Sequence, residues 1–240
     1  MLIDPQNSAV NVNHVRSRIH RAATAAGRDP ASVTLVAVSK SKPAESVRAI
    51  ATAGVTDFGE NYLQEALLKL DELGDLPLHW HFIGGLQSNK TRAVAERFLW
   101  VHSIDRFGIA KRLSDQRPFH APPLNLCIQV ALVPEPTKGG VEPEKLAELA
   151  ARTFDLPRVK LRGLMCVPPP QPNASAERAL FSQLRELLEA LNAVGHDLDT
   201  LSMGMSGDFE SAIAEGATHV RIGTALFGSR TNNSLQTRLP

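Results

Sequence analysis

The chain has 240 residues, 26 Lys+Arg against 25 Asp+Glu, a formal net charge of +1 and 43% apolar residues. Those values suit a single large globular domain, since α/β barrels run to about 200–250 residues as one unit. No apolar run approaches the ~20 residues of a membrane span, the first residues lack the basic-then-apolar pattern of a secretory signal, and near-neutrality argues against a dedicated nucleic-acid binder.

Elements follow in regular alternation. The stripe Val12, Val15, Ile19, Ala22, Ala26 predicts a helix over 7–27, with Gly27 as its stop. A buried β run over 34–39 (TLVAVS) leads to a helix over 43–53 opened by Pro43. A short strand over 57–60 precedes a helix over 61–73. A third strand over 80–84 precedes a helix over 90–98. A fourth strand over 99–104 leads to a helix that begins at Asp105 and stops before Pro118. Next come a long apolar strand over 124–132 and a helix over 143–153. A sixth strand over 161–167 enters the Pro-rich loop 168–172, and a long amphipathic helix covers 174–194. The last elements are a strand over 200–205, a short helix over 209–215 and a strand over 219–225. Repeated βα units imply a parallel sheet, and eight of them predict a closed (β/α)8 TIM barrel in a single domain with an extra N-terminal helix. The expected core spans about 10–229, with a short tail over 230–240. Cys127 and Cys166 lie in apolar runs and read as reduced core residues with no disulfide framework. The missing targeting signals make the cytoplasm the expected location.

In such a barrel, chemistry gathers at the C-terminal ends of the strands. Strand one ends in Ser39-Lys40-Ser41-Lys42, strand two in Gly59-Glu60-Asn61 and strand three in Gly84-Gly85. Strand seven ends in Gly204-Met205-Ser206-Gly207. Strand eight carries Arg221 and then Gly223-Thr224. Alternation puts Thr34, Val36, Val38 and Lys40 on one face, so Lys40 points inward at the top of the barrel. A desolvated lysine is an amine nucleophile that forms Schiff bases with carbonyl compounds; the other reading is a lysine that has left the strand for solvent. Arg221 alternates with Val220 and Ile222, which face the helices. It therefore faces inward, toward a ligand or toward a carboxylate such as Glu60. Ser206-Gly207 and Gly223-Thr224 resemble anion cradles, although Ser206 alone could be a helix cap.

Three further features carry less. GGLQSNKT at 84–91 is one residue away from a phosphate-binding P-loop, with Asn89 where glycine belongs. His79 and His81 share a strand face but lack a complementary ligand set for a metal, so they read as core or supporting histidines. Asn-X-Ser/Thr sequons at Asn89, Asn173 and Asn232 carry no meaning without a secretory signal.

The segments LVAVSKSKP, DFGENYLQE, WHFIGGLQSNK, RGLM, LSMGMSGDFE and VRIGTALFG, in this order, resemble the pyridoxal-phosphate homeostasis protein family. That family is a single-barrel relative of the N-terminal domain of alanine racemase. The resemblance implies that Lys40 holds pyridoxal 5'-phosphate (PLP) as a Schiff base and that Arg221 faces its pyridine nitrogen. It also implies that Ser206, Gly223 and Thr224 hold the phosphate and that Asn61 and Met165 lie near the ring. Gly85 departs from an expected proline, and Gly207 occupies a variable position. A permanently charged arginine opposite the ring nitrogen disfavours its protonation, which weakens the ring as an electron sink.

Three functions compete. An amino-acid racemase of the alanine racemase type needs a second base, a tyrosine from a second domain. The chain ends fifteen residues after Ala225 and holds one tyrosine, Tyr62. The second function, binding, buffering and delivery of PLP, needs no such base and is the expected one. Apo PLP-dependent enzymes would be its recipients, Lys42 a candidate second amine, and a monomer the expected state. The third, a sugar-phosphate enzyme acting through a Lys40 Schiff base, uses the same lysine and phosphate cradle.

Overall fold

The computed structural model describes residues 5–133 and 139–228; the predicted tail over 230–240 lies outside the described residues. Eight strands form one closed barrel in sequence order: β1 (Thr34–Val38), β2 (Asp57–Glu60), β3 (His79–Phe82), β4 (Trp100–Ile104), β5 (Leu124–Gln129), β6 (Val159–Met165), β7 (Thr200–Ser202) and β8 (His219–Ile222). Every neighbouring pair is parallel, and β8 closes on β1 with Val36 opposite Arg221.

The helices are α1 (Pro5–Ala25), α2 (Ala44–Thr52), α3 (Leu63–Glu72), α4 (Thr91–Arg97), α5 (Phe107–Gln116), α6 (Pro143–Phe154), α7 (Ala174–Ala193), α8 (Phe209–Ala214) and α9 (Thr224–Phe227). Local chemistry explains their limits. Pro143 opens α6, where its missing N–H is one the first turn leaves unpaired anyway. The Asn173 side chain caps α7 by accepting from the Ala176 amide at 3.0 Å. In α1, Val12, Val15, Ile19 and Ala23 are buried, and this stripe packs against α2, α8 and α9. The extra N-terminal helix thus covers the outside of the β8–β1 closure.

The strands differ from the sequence-based limits mainly at their C-terminal ends. β7 stops at Ser202 rather than 205, and β8 stops at Ile222, where the chain turns into the short helix α9. These are the ends at which strand pairing gives way to loops, so periodicity continues past the last ladder bond.

Parity along each strand separates two environments. Ala37, Phe58, Phe82, Val101, Leu126, Leu164, Val220 and Ile222 point outward into one apolar cluster with the helices, where each large side chain contributes about 1.5–3 kcal/mol by leaving water. The alternate residues point inward. Instead of the branched aliphatic layers usual in such barrels, they include Asp57, His81, His102, Ser202 and Arg221, hydrogen-bonded in a continuous chain.

Candidate functional site

Lys40 lies one residue beyond Ser39, which directly follows β1, and is half-buried. Its neighbours in sequence are gripped on both sides. The Ser39 hydroxyl donates to Glu60 Oε1 at 2.6 Å, and the Ser39 carbonyl accepts from Lys69 Nζ at 2.7 Å. The Ser41 amide donates to Glu65 Oε1 at 2.6 Å, and Ser41 itself sits at φ 60°, a left-handed conformation costly for a non-glycine residue. Lys69 Nζ also donates to Glu60 Oε1 at 2.7 Å and to Glu65 Oε1 at 2.6 Å. A buried lysine between two glutamates therefore anchors the turn that carries Lys40. Burial pushes the Glu60 carboxyl up, while the Lys69 ammonium opposes that shift. Sequence reasoning missed Lys69, although the i,i+4 spacing of Glu65 and Lys69 on one helix was a visible pairing signal.

The alternative partner proposed for Arg221 is overturned. Glu60 is committed to Lys69 and Ser39, and Arg221 forms no ion pair with it. Arg221 is 4% exposed. Its Nη1 donates to Ser202 Oγ at 2.7 Å and its Nη2 to the Cys166 carbonyl at 2.8 Å. Burial pulls its pKa down from the usual high value, and the thiol and carboxyl groups of Cys166 and Asp208 oppose that shift. Met165, beside Cys166, is buried and pairs in register with Ser202.

Asn61 follows β2 and is half-buried, and its Oδ1 is a buried acceptor with no hydrogen-bond partner among the described residues. Gly84 lies so close beneath it that a side chain there would collide with the Asn61 backbone. At the end of β7, Gly204 has φ 90°, and an added Cβ would come within 2.7 Å of Ala212 Cβ. Only glycine lets the chain turn there into the half-buried Ser206. The helix-cap reading of Ser206 is also overturned: Asp208 occupies the N-cap position of α8, and its Oδ1 accepts from the Met205 amide at 2.6 Å. After β8, Gly223 lies against Val38 and Thr224 is exposed.

The candidate residues thus occupy five consecutive staves of the barrel: Met165 on β6, Ser206 after β7, Arg221 and Gly223-Thr224 on and after β8, Lys40 after β1 and Asn61 after β2. Lys42 donates to the Phe227 carbonyl at 3.1 Å, tying α9 to the same rim. Tyr62 stands at the N-cap of α3, 55% exposed. Among the described residues no group of His, Cys, Asp and Glu is arranged to hold a metal, and His81 is taken up inside the barrel. No helix there is long and apolar enough to cross a membrane. A groove of about 590 Å³ lies on the outer helices between Arg18, Arg21, Arg178 and Glu210, and none of the candidate residues lines it.

A closed barrel with a strand-end lysine, a buried arginine and two small-residue turns along one arc defines an alanine-racemase-like barrel, and residues 10–231 match the family model described as "Alanine racemase, N-terminal domain". The chain belongs to the pyridoxal phosphate homeostasis protein family. It is 60% identical over 222 residues to the pyridoxal phosphate homeostasis protein of Pseudomonas aeruginosa, which covers 92% of this chain and 95% of that one. PipY of Synechococcus elongatus PCC7942, solved with PLP bound, is 41% identical with TM-score 0.82, covering 92% of this chain and 100% of PipY. Alanine racemase from Corynebacterium glutamicum shares the fold at 19% identity and TM-score 0.70, covering 99% of this chain and 65% of the racemase.

Proposed function

We propose that this protein binds PLP on the arc from β6 to β2 and serves PLP homeostasis by holding, buffering and releasing the cofactor without strong turnover. The observation that carries the reading is the arc itself, with a strand-end lysine set between a buried arginine on one neighbouring strand and an asparagine on the other. The unpartnered Asn61 Oδ1 is a polar atom that an incoming ligand would satisfy. In this reading Lys40 is the covalent attachment point and Arg221 faces the ring nitrogen. Ser206, Gly223 and Thr224 hold the phosphate, and Asn61 and Met165 flank the ring.

When bound, the cofactor supplies an aldehyde carbon and an electron-accepting ring. The chain's own residues restrain that chemistry. Arg221 stays cationic and keeps a proton away from the group it faces. The clamp of Lys69, Glu60 and Glu65 fixes the Lys40 turn rather than offering a second base, and Tyr62 is largely in solvent. That balance suits holding over racemisation. The same reading takes apo PLP-dependent enzymes as recipients, a monomer as the working unit and the cytoplasm as the compartment, where two free buried cysteines would stay reduced.

The test is a visible absorbance spectrum of the protein mixed with PLP, before and after borohydride. A borohydride-sensitive band in the wild type that disappears in Lys40→Ala is expected; no band in the wild type would sink the reading. Incubation with single-enantiomer amino acids in deuterated water separates the racemase. Loss of optical activity with deuterium at Cα would replace the carrier with an enzyme.

A further inference from the structure

A polar chain crosses the inside of the barrel and ends on Arg221. Ser202 Oγ lies 2.7 Å from Arg221 Nη1 and 2.7 Å from His102 Nδ1. His102 Nε2 lies 2.9 Å from His81 Nδ1, and His81 Nε2 lies 3.0 Å from Asp57 Oδ1. Five residues on five strands are joined, and Ser202, His81, His102 and Arg221 are all buried.

Both ends of this chain are chemically fixed. A guanidinium only donates and an ionised carboxylate only accepts. With neutral imidazoles the Asp57 end sets the direction: the His81 proton sits on Nε2 and points at Asp57, so His81 Nδ1 carries a lone pair and accepts from His102 Nε2–H. His102 Nδ1 then carries a lone pair, and Ser202 turns its proton to that nitrogen while accepting from Arg221. Every group is satisfied in one direction only, with both imidazoles neutral and protonated on Nε2.

We infer that His102 and His81 are positioning residues for Arg221: by fixing the Ser202 hydroxyl proton away from the guanidinium, they present it with a serine lone pair and hold it in one orientation beneath the rim. Insofar as that orientation sets how a bound ring nitrogen is met, the inference rests on the PLP reading above. The surroundings favour neutral imidazoles. Burial pushes His102 well below its usual value, and the permanent charge of Arg221 presses the same way. Burial also lowers His81, with His79 adding to that effect and Asp57 opposing it. Asp57, by contrast, is raised by burial but brought down to about 2 by hydrogen bonds from His81 and Thr56, so it remains the ionised end. A barrel filled only for stability would place aliphatic side chains here; a fully paired polar chain specifies orientation instead.

The test uses the ligand-free full chain labelled with ¹⁵N. The nitrogen shifts of His81 and His102 are expected to report the neutral Nε2–H tautomer from about pH 6 to about pH 9, with slow solvent exchange of the Arg221 guanidinium protons. His102→Leu and Ser202→Ala should each speed that exchange about tenfold or more, and the double variant should be no faster than either single one. His102→Asn should restore protection, because its Oδ1 can take the place of imidazole Nδ1. Exchange unchanged in His102→Leu, or an Nδ1 proton on either wild-type histidine, would overturn the inference. If His102→Leu does not fold, the wild-type tautomers and His102→Asn decide. PLP is then added. A wild type with no borohydride-sensitive band refutes the PLP reading but leaves the Arg221 exchange result standing. A band of identical wavelength in wild type and His102→Leu refutes the effect on the ring nitrogen alone.

Discussion

The two faces of the same eight strands are built for opposite purposes. Outward, Phe58, Phe82, Val101 and Leu126 interlock with helices in one apolar cluster. Inward, at the alternate positions of the strands, Asp57, His81, His102, Ser202 and Arg221 are linked by hydrogen bonds. The outer face supplies stability that depends on volume and tolerates repacking. The inner face supplies direction, because each donor has one acceptor and a lost partner leaves a buried polar group unsatisfied.

The largest effect should follow from breaking the outer face. Phe58→Ala is expected to lower unfolding free energy by about 3–5 kcal/mol, measured by urea titration, while the folded fraction keeps its PLP absorbance unchanged. Breaking the clamp beneath the Lys40 turn comes next. Lys69→Met strands Glu60 and should cost roughly 3 kcal/mol. Adding Glu60→Gln should recover much of that stability in the same titration, but not the PLP affinity.

Acid sharpens the contrast further. Burial pulls His219 down to about 3, and burial lowers His102 as well. A histidine whose folded pKa lies below its unfolded value contributes stability in full above the unfolded pKa, near 6.5, and loses it as pH falls toward the folded value. Between those limits the unfolded chain binds more protons, so stability should decline as pH drops below about 6.5. Asp57, held at about 2, should add its own loss only between about pH 4 and about pH 2. Denaturant midpoints measured at stepped pH would show a flat profile if the inner histidines were protonated in the folded state. The smallest effect belongs to neither face: Asp115→Ala, which removes an exposed pair with Lys111, should change stability by less than about 0.5 kcal/mol.

Much of this division was readable from the residues. Strand alternation put Lys40 and Arg221 inside and Val220 and Ile222 outside, and the burial of Arg221, Val220 and Ile222 agrees. The same rule applied to VHSI and LSM would have turned His102 and Ser202 inward, but periodicity says nothing about which inward groups meet across a barrel. Partner choice needs strand register, and register depends on closure of all eight strands. That is why Glu60 seemed available to Arg221, when its carboxylate is held by Lys69 from the next helix. The turn after β7 escaped for a related reason: Ser206 looked like a cap, whereas the left-handed turn at Gly204 moves the cap to Asp208.

The most direct test of the central claim locates the cofactor on the chain. The protein is mixed with one equivalent of PLP, reduced with borohydride, digested and mapped by mass spectrometry. The account predicts the pyridoxyl phosphate mass on the peptide carrying Lys40, with Lys42 and the surface lysines unmodified. Label spread over exposed lysines, or confined to Lys42, would contradict it.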